Sequence, residues 1–352
     1  AGADFIDAGN GNDTVVVDND GTDVDTFIGG VGSDTLDLTN LGSDNVDIDL
    51  TVGSQTLTGV DSIDGFENVI ATDGDNTIIG NAEVNTIDAK AGADNISTDA
   101  GDDVIDAGAG NDIIRGGAGS DTIDGGANID TALYSGDADG IDVDFTAGSD
   151  VNATEVTQNG DTDTLTNVEK ITATAQADSF TLTSALLATM TADNVYDAGA
   201  GSDTLTITGD LDFDASDLSP HFSNLEVLDL SGVTTGVSEF GIDVDDIAAL
   251  ASGNGSTFRI ILDGANTEQI NIQNGATYSL STNVSVSGNE TTYTITDGGN
   301  TITLIVESAA RVWGSLENDI ISDDGSSHNI YGLDGADQIT GGLGDDVIYG
   351  GK

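Results

Sequence analysis

Between residues 94 and 130 an aspartate recurs at every ninth position, as Asp94, Asp103, Asp112, Asp121 and Asp130, with an isoleucine two residues later at Ile96, Ile105, Ile114 and Ile123. A period of nine fits neither the 3.6-residue turn of a helix nor a long alternating strand. Each unit is a glycine-rich turn (AKAGAD, TDAGDD, AGAGND, GGAGSD, GGANID) followed by three strand-like residues with an aliphatic centre. Glycine at this density costs a helix about 1 kcal/mol per position, which excludes a helix for the block. Three strand residues place one side chain on one face and two on the other, so the lone isoleucine points inward while its Asp and Thr neighbours face out. One unit cannot bury its isoleucine. Stacked units can, because each coil covers the next, and the pattern demands a solenoid of short parallel strands.

GGAGSDTID at residues 116–124 resembles throughout the nonapeptide of the repeats-in-toxin (RTX) family, GGxGxD followed by x-aliphatic-x. The same signature recurs as GNGNDTVV from 9, GGVGSDTLD from 29, GAGSDTLT from 199 and GGLGDDVIY from 341. Asp319, Asp337 and Asp346 keep the register near the C-terminal end, with His328 where a fourth aspartate would stand. The resemblance implies an all-β, right-handed parallel β-roll or β-helix with bound calcium.

The charge agrees. The 352 residues carry 64 Asp+Glu against 6 Lys+Arg, a formal net charge of -58. A field of that sign repels phosphates, which argues against nucleic acid and anionic membranes as partners. It admits three readings: a disordered acidic chain, a salt-adapted protein, or a binder of many cations. Disorder fits poorly, because 37% of the residues are apolar and fall at regular places. With no cysteine there is neither a disulfide framework nor a thiolate metal site, and an extracellular fold then needs another staple, for which a metal ion serves. No stretch approaches the roughly 18 apolar residues of a membrane span. Both chain ends fall inside a repeat, which reads as a chain cut from something longer or one built to stack end to end.

Between the repeats lie segments that echo one another. NVDIDLTVGSQ with DSIDGFENVIATDGDNTI matches GIDVDFTAGSD with DTLTNVEKITATAQADSF, and HFSNLEVLDLSG is a third variant. We read them as broader coils of the same solenoid. From Glu239 to Val306 the period disappears; DVDDIAAL predicts one short helix, and TFRIIL, QINIQ, TTYTIT and TITLIV predict strands. This layout resembles a segment near the C-terminal end of large bacterial surface adhesins. The expected organisation is N-terminal repeats at 1–40, spacer coils at 41–88, a regular roll at 89–132, spacer coils at 133–194, an isolated repeat with further β coils at 195–238, a β-rich insertion at 239–310, and C-terminal repeats at 311–352. If most coils stack at the strand spacing, the solenoid runs on the order of 90 Å.

Calcium takes 6–8 oxygens from carboxylates and carbonyls, and a glycine-rich turn can bend tightly and expose its carbonyls. In the RTX family two nonapeptides make one coil, and each ion sits between a turn and its equivalent 18 residues on. Carried onto this chain, the resemblance implies that Asp94, Asp112 and Asp130 line one edge and Asp103 and Asp121 the other. It extends the ligand set to Asp4, Asp13, Asp34, Asp203, Asp319, Asp337 and Asp346. The alternative is that these aspartates only form turns. At an extracellular-module affinity of about 0.1 mM and about 1 mM calcium, each site stabilises by roughly 1.4 kcal/mol. Without calcium the same acids repel, and an expanded chain is expected.

No catalytic constellation is present: no HExxH, no GxSxG elbow, no cysteine nucleophile, no Walker loop. His328 reads as a lost ligand and His221, beside Pro220, as a loop residue. Trp313, Tyr331, Tyr349 and Phe240 read as solenoid packing rather than a sugar-stacking surface. The Thr-rich spacer lacks the long outward Thr ladder of an ice-binding face. The expected function is a non-enzymatic, calcium-binding structural protein of the bacterial cell surface (adhesin, S-layer or filament subunit), secreted by a type I route, folding on calcium and self-associating head to tail. The alternative is a module that recognises a cell-surface glycan, a peptide or the matrix through the 239–310 insertion.

Overall fold

A computed structural model describes residues 4–17, 25–52, 55–56, 62–146, 153–210, 215–235, 239–251, 257–262, 269–273, 280–287, 290–297, 300–307, 311–313, 320–322, 329–332 and 335–351. The chain forms two compact units, one of residues 1–135 and 147–172, the other of 136–146 and 173–352. Asp319 and His328 lie outside the described residues.

In the first unit, the expected three-residue strands form and stack. One ladder runs through Asn68–Ile70, Thr86–Asp88, Val104–Asp106, Thr122–Asp124 and the end of Asp161–Thr166, all parallel. Its central column is Val69, Ile87, Ile105, Ile123 and Leu165, each buried. A second parallel ladder joins Asp47–Asp49, Thr77–Ile79, Asn95–Ser97, Ile113–Arg115, Thr131–Leu133 and Lys170–Thr172. Its column of Ile48, Ile78, Ile96, Ile114, Ala132 and Ile171 is buried as completely. Neighbours such as Thr86, Val104 and Thr122 face solvent. The outward column is not uniformly polar: Val104 and Ile113 are nearly half exposed.

The coil length is not constant. It is 18 residues in the regular block, as between Asp94 and Asp112, but 21 between Asp13 and Asp34. The echoing spacers are wider coils, closing after 33 residues between Asp34 and Glu67 and after 42 between Asp121 and Asp163. Each takes up its extra length partly in a hairpin, Gln55–Thr56 against Ser62–Asp64 and Ala153–Gln158 against Asp161–Thr166. The ladder on either side stays parallel.

The second unit stacks Asp142–Asp144, Ser179–Thr183, Thr204–Asp210, Val227–Thr235, Thr257–Ile261 and Asn300–Glu307 in parallel. Larger coils need larger fillers, and here Phe145, Tyr196, Phe222 and Phe180 pack with successive ring centroids 4.8, 5.3 and 6.0 Å apart. The predicted short helix is Val244–Leu250. The predicted strands form as Thr257–Ile261, Gln269–Gln273, Glu290–Asp297 and Asn300–Glu307, with Leu280–Ser287 in addition. Thr257–Ile261 continues the parallel ladder, whereas Leu280–Ser287, Glu290–Asp297 and Asn300–Glu307 form an antiparallel meander. The 18-residue register returns in Asn329–Tyr331 and Val347–Tyr349, where Tyr331 and Tyr349 stack at 4.5 Å, and in Ile320–Ser322 and Gln338–Thr340.

Candidate metal centres

The turns stack as closely as the strands. Gly92 N–H donates to the Ala109 carbonyl and Ala109 N–H to that of Lys90. The second and fourth turn residues hold positive φ, as at Gly117 (96°) and Gly119 (133°). A Cβ on Gly117 would collide with the carbonyl oxygen of Asp99 one coil earlier, so glycine is required by both the backbone conformation and the close approach. Lys90 (φ 75°) and Asp99 (φ 78°) hold the same conformation without being glycine, a sparsely populated region for such residues.

Each turn ends on an aspartate, and the stacking converts the nine-residue period into two rows. On one edge Asp94 N–H donates to Asp112 Oδ1 at 2.7 Å and Asp112 N–H to Asp130 Oδ1 at 2.8 Å. On the other, Asp103 N–H donates to Asp121 Oδ1 at 2.8 Å. Asp13 and Asp34 repeat the arrangement at 2.8 Å. Asp34, Asp112, Asp121 and Asp130 thus each spend one carboxylate oxygen on the backbone of the coil before them. The second oxygen, Oδ2, is buried without a hydrogen-bond partner in Asp13, Asp34, Asp94, Asp103, Asp112, Asp121, Asp130 and Asp203. An unpaired buried carboxylate oxygen is costly, and a repeated one is a position a cation could fill.

The electrostatics point the same way. Burial pushes Asp121, Asp130 and Asp203 up to about 7 and Asp94 to about 6, against an ordinary value of 3.8. The N–H from the preceding coil acts in the opposite direction, while neighbouring acids, Asp163 for Asp121 and Glu169 for Asp130, add to the rise. Asp103 and Asp112 are raised by the same burial. Lys90 bonds to Asp88, a strand residue, rather than to a rung.

Among the described residues no three Asp, Glu or His side chains converge. A hard cation here must therefore draw most of its oxygens from turn carbonyls, with one carboxylate oxygen from each rung. That mixed, all-oxygen donor set suits calcium and offers nothing to a softer metal.

The structure also places acids that the period does not reveal. Asp130 N–H donates to Glu169 Oε2, Asp34 N–H to Glu67 Oε2 and Asp203 N–H to Glu226 Oε2, so a glutamate closes the row at each broad coil. Asp163 and Asp178 are further rungs, accepting from Asp121 and Ile141. The local signal is an acid two residues before an inward apolar residue: Glu67 before Val69, Glu169 before Ile171, Glu226 before Leu228. Asp4 is exposed, and its N–H donates at 2.7 Å to Oδ1 of Asp25, the buried rung 21 residues on, as Asp13 does to Asp34. Asp346 is half-buried, and like Asp337 it folds its carboxylate back over a glycine five residues earlier.

Compared with known families, residues 1–21, 61–96, 97–132 and 329–352 match the RTX calcium-binding nonapeptide repeat in four copies. No curated protein matches the chain. Among the described residues no helix is long and apolar enough to cross a membrane.

Proposed function

The chain is a calcium-binding RTX repeat protein, and from that premise we propose that it is an extracellular structural protein of the bacterial cell surface whose fold is completed by several calcium ions. Repeats of this kind belong to proteins of the type I-secreted class. The observation that carries the proposal is the double row of buried Oδ2 atoms without partners. Asp13, Asp34, Asp94, Asp103, Asp112, Asp121, Asp130 and Asp203 would hold the ions, together with carbonyls of their glycine-rich turns. When bound, calcium supplies the positive charge that this chain lacks and joins one coil to the next. Secretion before calcium is met would leave the chain expanded, and folding would follow outside the cell.

The test is far-UV circular dichroism and sedimentation through a calcium titration, with magnesium as control. Magnesium demands near-ideal octahedral geometry and gives up its water reluctantly, so the expected result is a cooperative gain of β signal with calcium alone. A chain already folded in chelator and indifferent to calcium would reduce the aspartates to turn formers and end the proposal. Sedimentation reads the assembly part of it. Growth with calcium supports head-to-tail stacking of copies, and a monomer at millimolar calcium removes that part.

A further inference from the structure

The rungs are not all alike, and the difference follows the second residue of the turn that leads into each one. We infer that this residue decides whether a rung takes an ion. The inference rests on the calcium reading above and assigns a different role to four positions within it.

In one class of turn the second residue has positive φ: Gly9, Gly30, Lys90, Asp99, Gly108, Gly117, Gly126, Gly199 and Gly342. The first eight of these turns lead to Asp13, Asp34, Asp94, Asp103, Asp112, Asp121, Asp130 and Asp203, each with a buried Oδ2 that accepts no hydrogen bond; Gly342 leads to Asp346, which is half-buried near the end of the described residues. None of those second residues donates a side-chain hydrogen bond to its rung. Asp103 also has the Thr98 hydroxyl beside its carboxylate, but that hydroxyl donates to the Gly116 carbonyl at 2.7 Å.

In the other class the second residue is Thr72, Asn81 or Thr174, none of them at positive φ, and each is tied to its own rung. Thr174 donates its N–H at 3.0 Å and its hydroxyl at 3.0 Å to Asp178 Oδ2, and the hydroxyl also lies 2.9 Å from Oδ1. Thr72 hydroxyl donates to Asn76 Oδ1 at 2.9 Å. Asn81 N–H donates to Asn85 Oδ1 at 2.9 Å, and Asn85 Nδ2 returns a bond to Asn81 Oδ1 at 3.0 Å. Two of these three rungs carry an amide, not a charge. A wide coil reaches the same end by another route: Tyr134, in the first turn position where Gly116 stands one coil earlier on that ladder, donates its hydroxyl to Asp163 Oδ2 at 2.8 Å.

A carboxylate that accepts both a backbone N–H and a hydroxyl is satisfied as an anion without a metal. Asn76, Asn85, Asp163 and Asp178 are therefore ion-free rungs. In the first unit, Asn76 and Asn85 stand on one side of the Asp94–Asp130 block, and Asp163 and Glu169 on the other. The ion rows are bounded by rungs that close on protein donors alone.

The experiment is calcium bound per chain at saturation, by equilibrium dialysis and elemental analysis, for the full chain and for Asp178→Asn, Asp163→Asn and Asp112→Asn. Asp178→Asn recreates the Asn76–Thr72 pair that the protein already uses, so it keeps the fold. The expected result is an unchanged calcium count for Asp178→Asn and Asp163→Asn and a loss of about one ion for Asp112→Asn. A drop in Asp178→Asn as large as that in Asp112→Asn overturns the inference. A complementary variant, Thr174→Gly with Gln176→Gly, rewrites the turn as AGAGAD in the pattern of AGAGND and AGAGSD; it should gain an ion, and an unchanged count counts against the rule. If the unaltered chain binds no calcium, the earlier reading has failed instead, and the two failures are distinguishable.

Discussion

In chelator, acid should fold what calcium folds at neutral pH. The carboxyls of Asp121, Asp130 and Asp203 sit at about 7 and that of Asp94 at about 6 in the folded chain, chiefly because burial disfavours their charge. In the unfolded chain they titrate near the ordinary 3.8. A folded value raised above the unfolded one gives stability that is fully present below about pH 4 and is lost as the pH rises through about 6 to 7. For Asp121 a rise of about three units corresponds to about 4 kcal/mol, and solvent access to the edge of the turn reduces that to about 2 kcal/mol. Several such groups together reach the scale of a whole domain's stability, about 5–15 kcal/mol. The assay is far-UV circular dichroism in chelator as the pH falls from about 8 to about 5, the range over which these groups take up protons. β signal should grow. With calcium saturating, the sign reverses, because protons then compete with the ion for Oδ2, and acid should lower the melting temperature. A β signal in chelator that stays flat or falls on acidification would refute the argument that buried, unneutralised carboxylates hold the metal-free chain open.

Three substitutions probe separate parts of the same structure. Asp121→Asn removes one buried charge while its amide oxygen can still accept Asp103 N–H; β signal in chelator at neutral pH should rise, by about 2 kcal/mol in stability, while bound calcium falls. Gly117→Ala sets a Cβ against the Asp99 carbonyl at a φ of 96°, and the backbone strain alone should cost about 1–3 kcal/mol, read as a lower melting temperature in calcium. Ile123→Ala opens a cavity in the column between Ile105 and Leu165 and should cost about 2–5 kcal/mol, seen as a lower urea midpoint at fixed calcium.

The regular block is legible in the sequence because its geometry is local. With three strand residues per repeat and two repeats per coil, a period of nine in sequence becomes a stack at 18 in space, and Ile96 must lie on Ile114 if either is to be buried. The two rows follow from the same arithmetic, and so does their alternation between edges. The wide coils break that arithmetic. Asp121 meets Asp163 across 42 residues and Asp130 meets Glu169 across 39, and no fixed spacing predicts either pairing. What survives is the short-range rule that a rung precedes its inward apolar residue by two. Applied alone it finds Glu67, Glu169 and Glu226, but a search for glycine-rich turns ending in aspartate passes over all three. Asp4 has the spacing of a rung and donates its N–H to Asp25 one coil on, as Asp13 does to Asp34, while its own side chain is exposed.

The rung hydrogen bond explains why the metal requirement belongs to a row rather than to a residue. Each aspartate fixes Oδ1 by accepting the N–H of the rung before it, so its Oδ2 is presented in the same way, coil after coil, for as long as the turns keep positive φ at their second residue. An ion held between two such turns orders both, and the next ion along the row then meets a turn already in place. Calcium binding within Asp94–Asp130 should therefore be cooperative, in steps that extend along the stack, as expected where each repeat contacts only its neighbours. The same reasoning sets where cooperativity stops. At Asp163 and Asp178 the carboxylate is already satisfied by a hydroxyl, so ordering at those rungs gains nothing from an ion and must come from packing, until Asp203 again offers an Oδ2 without a partner. The aromatic filling by Phe145, Tyr196, Phe222 and Phe180 supplies such packing in the second unit. There the glycine-rich signature thins and apolar burial takes over as the main source of stability.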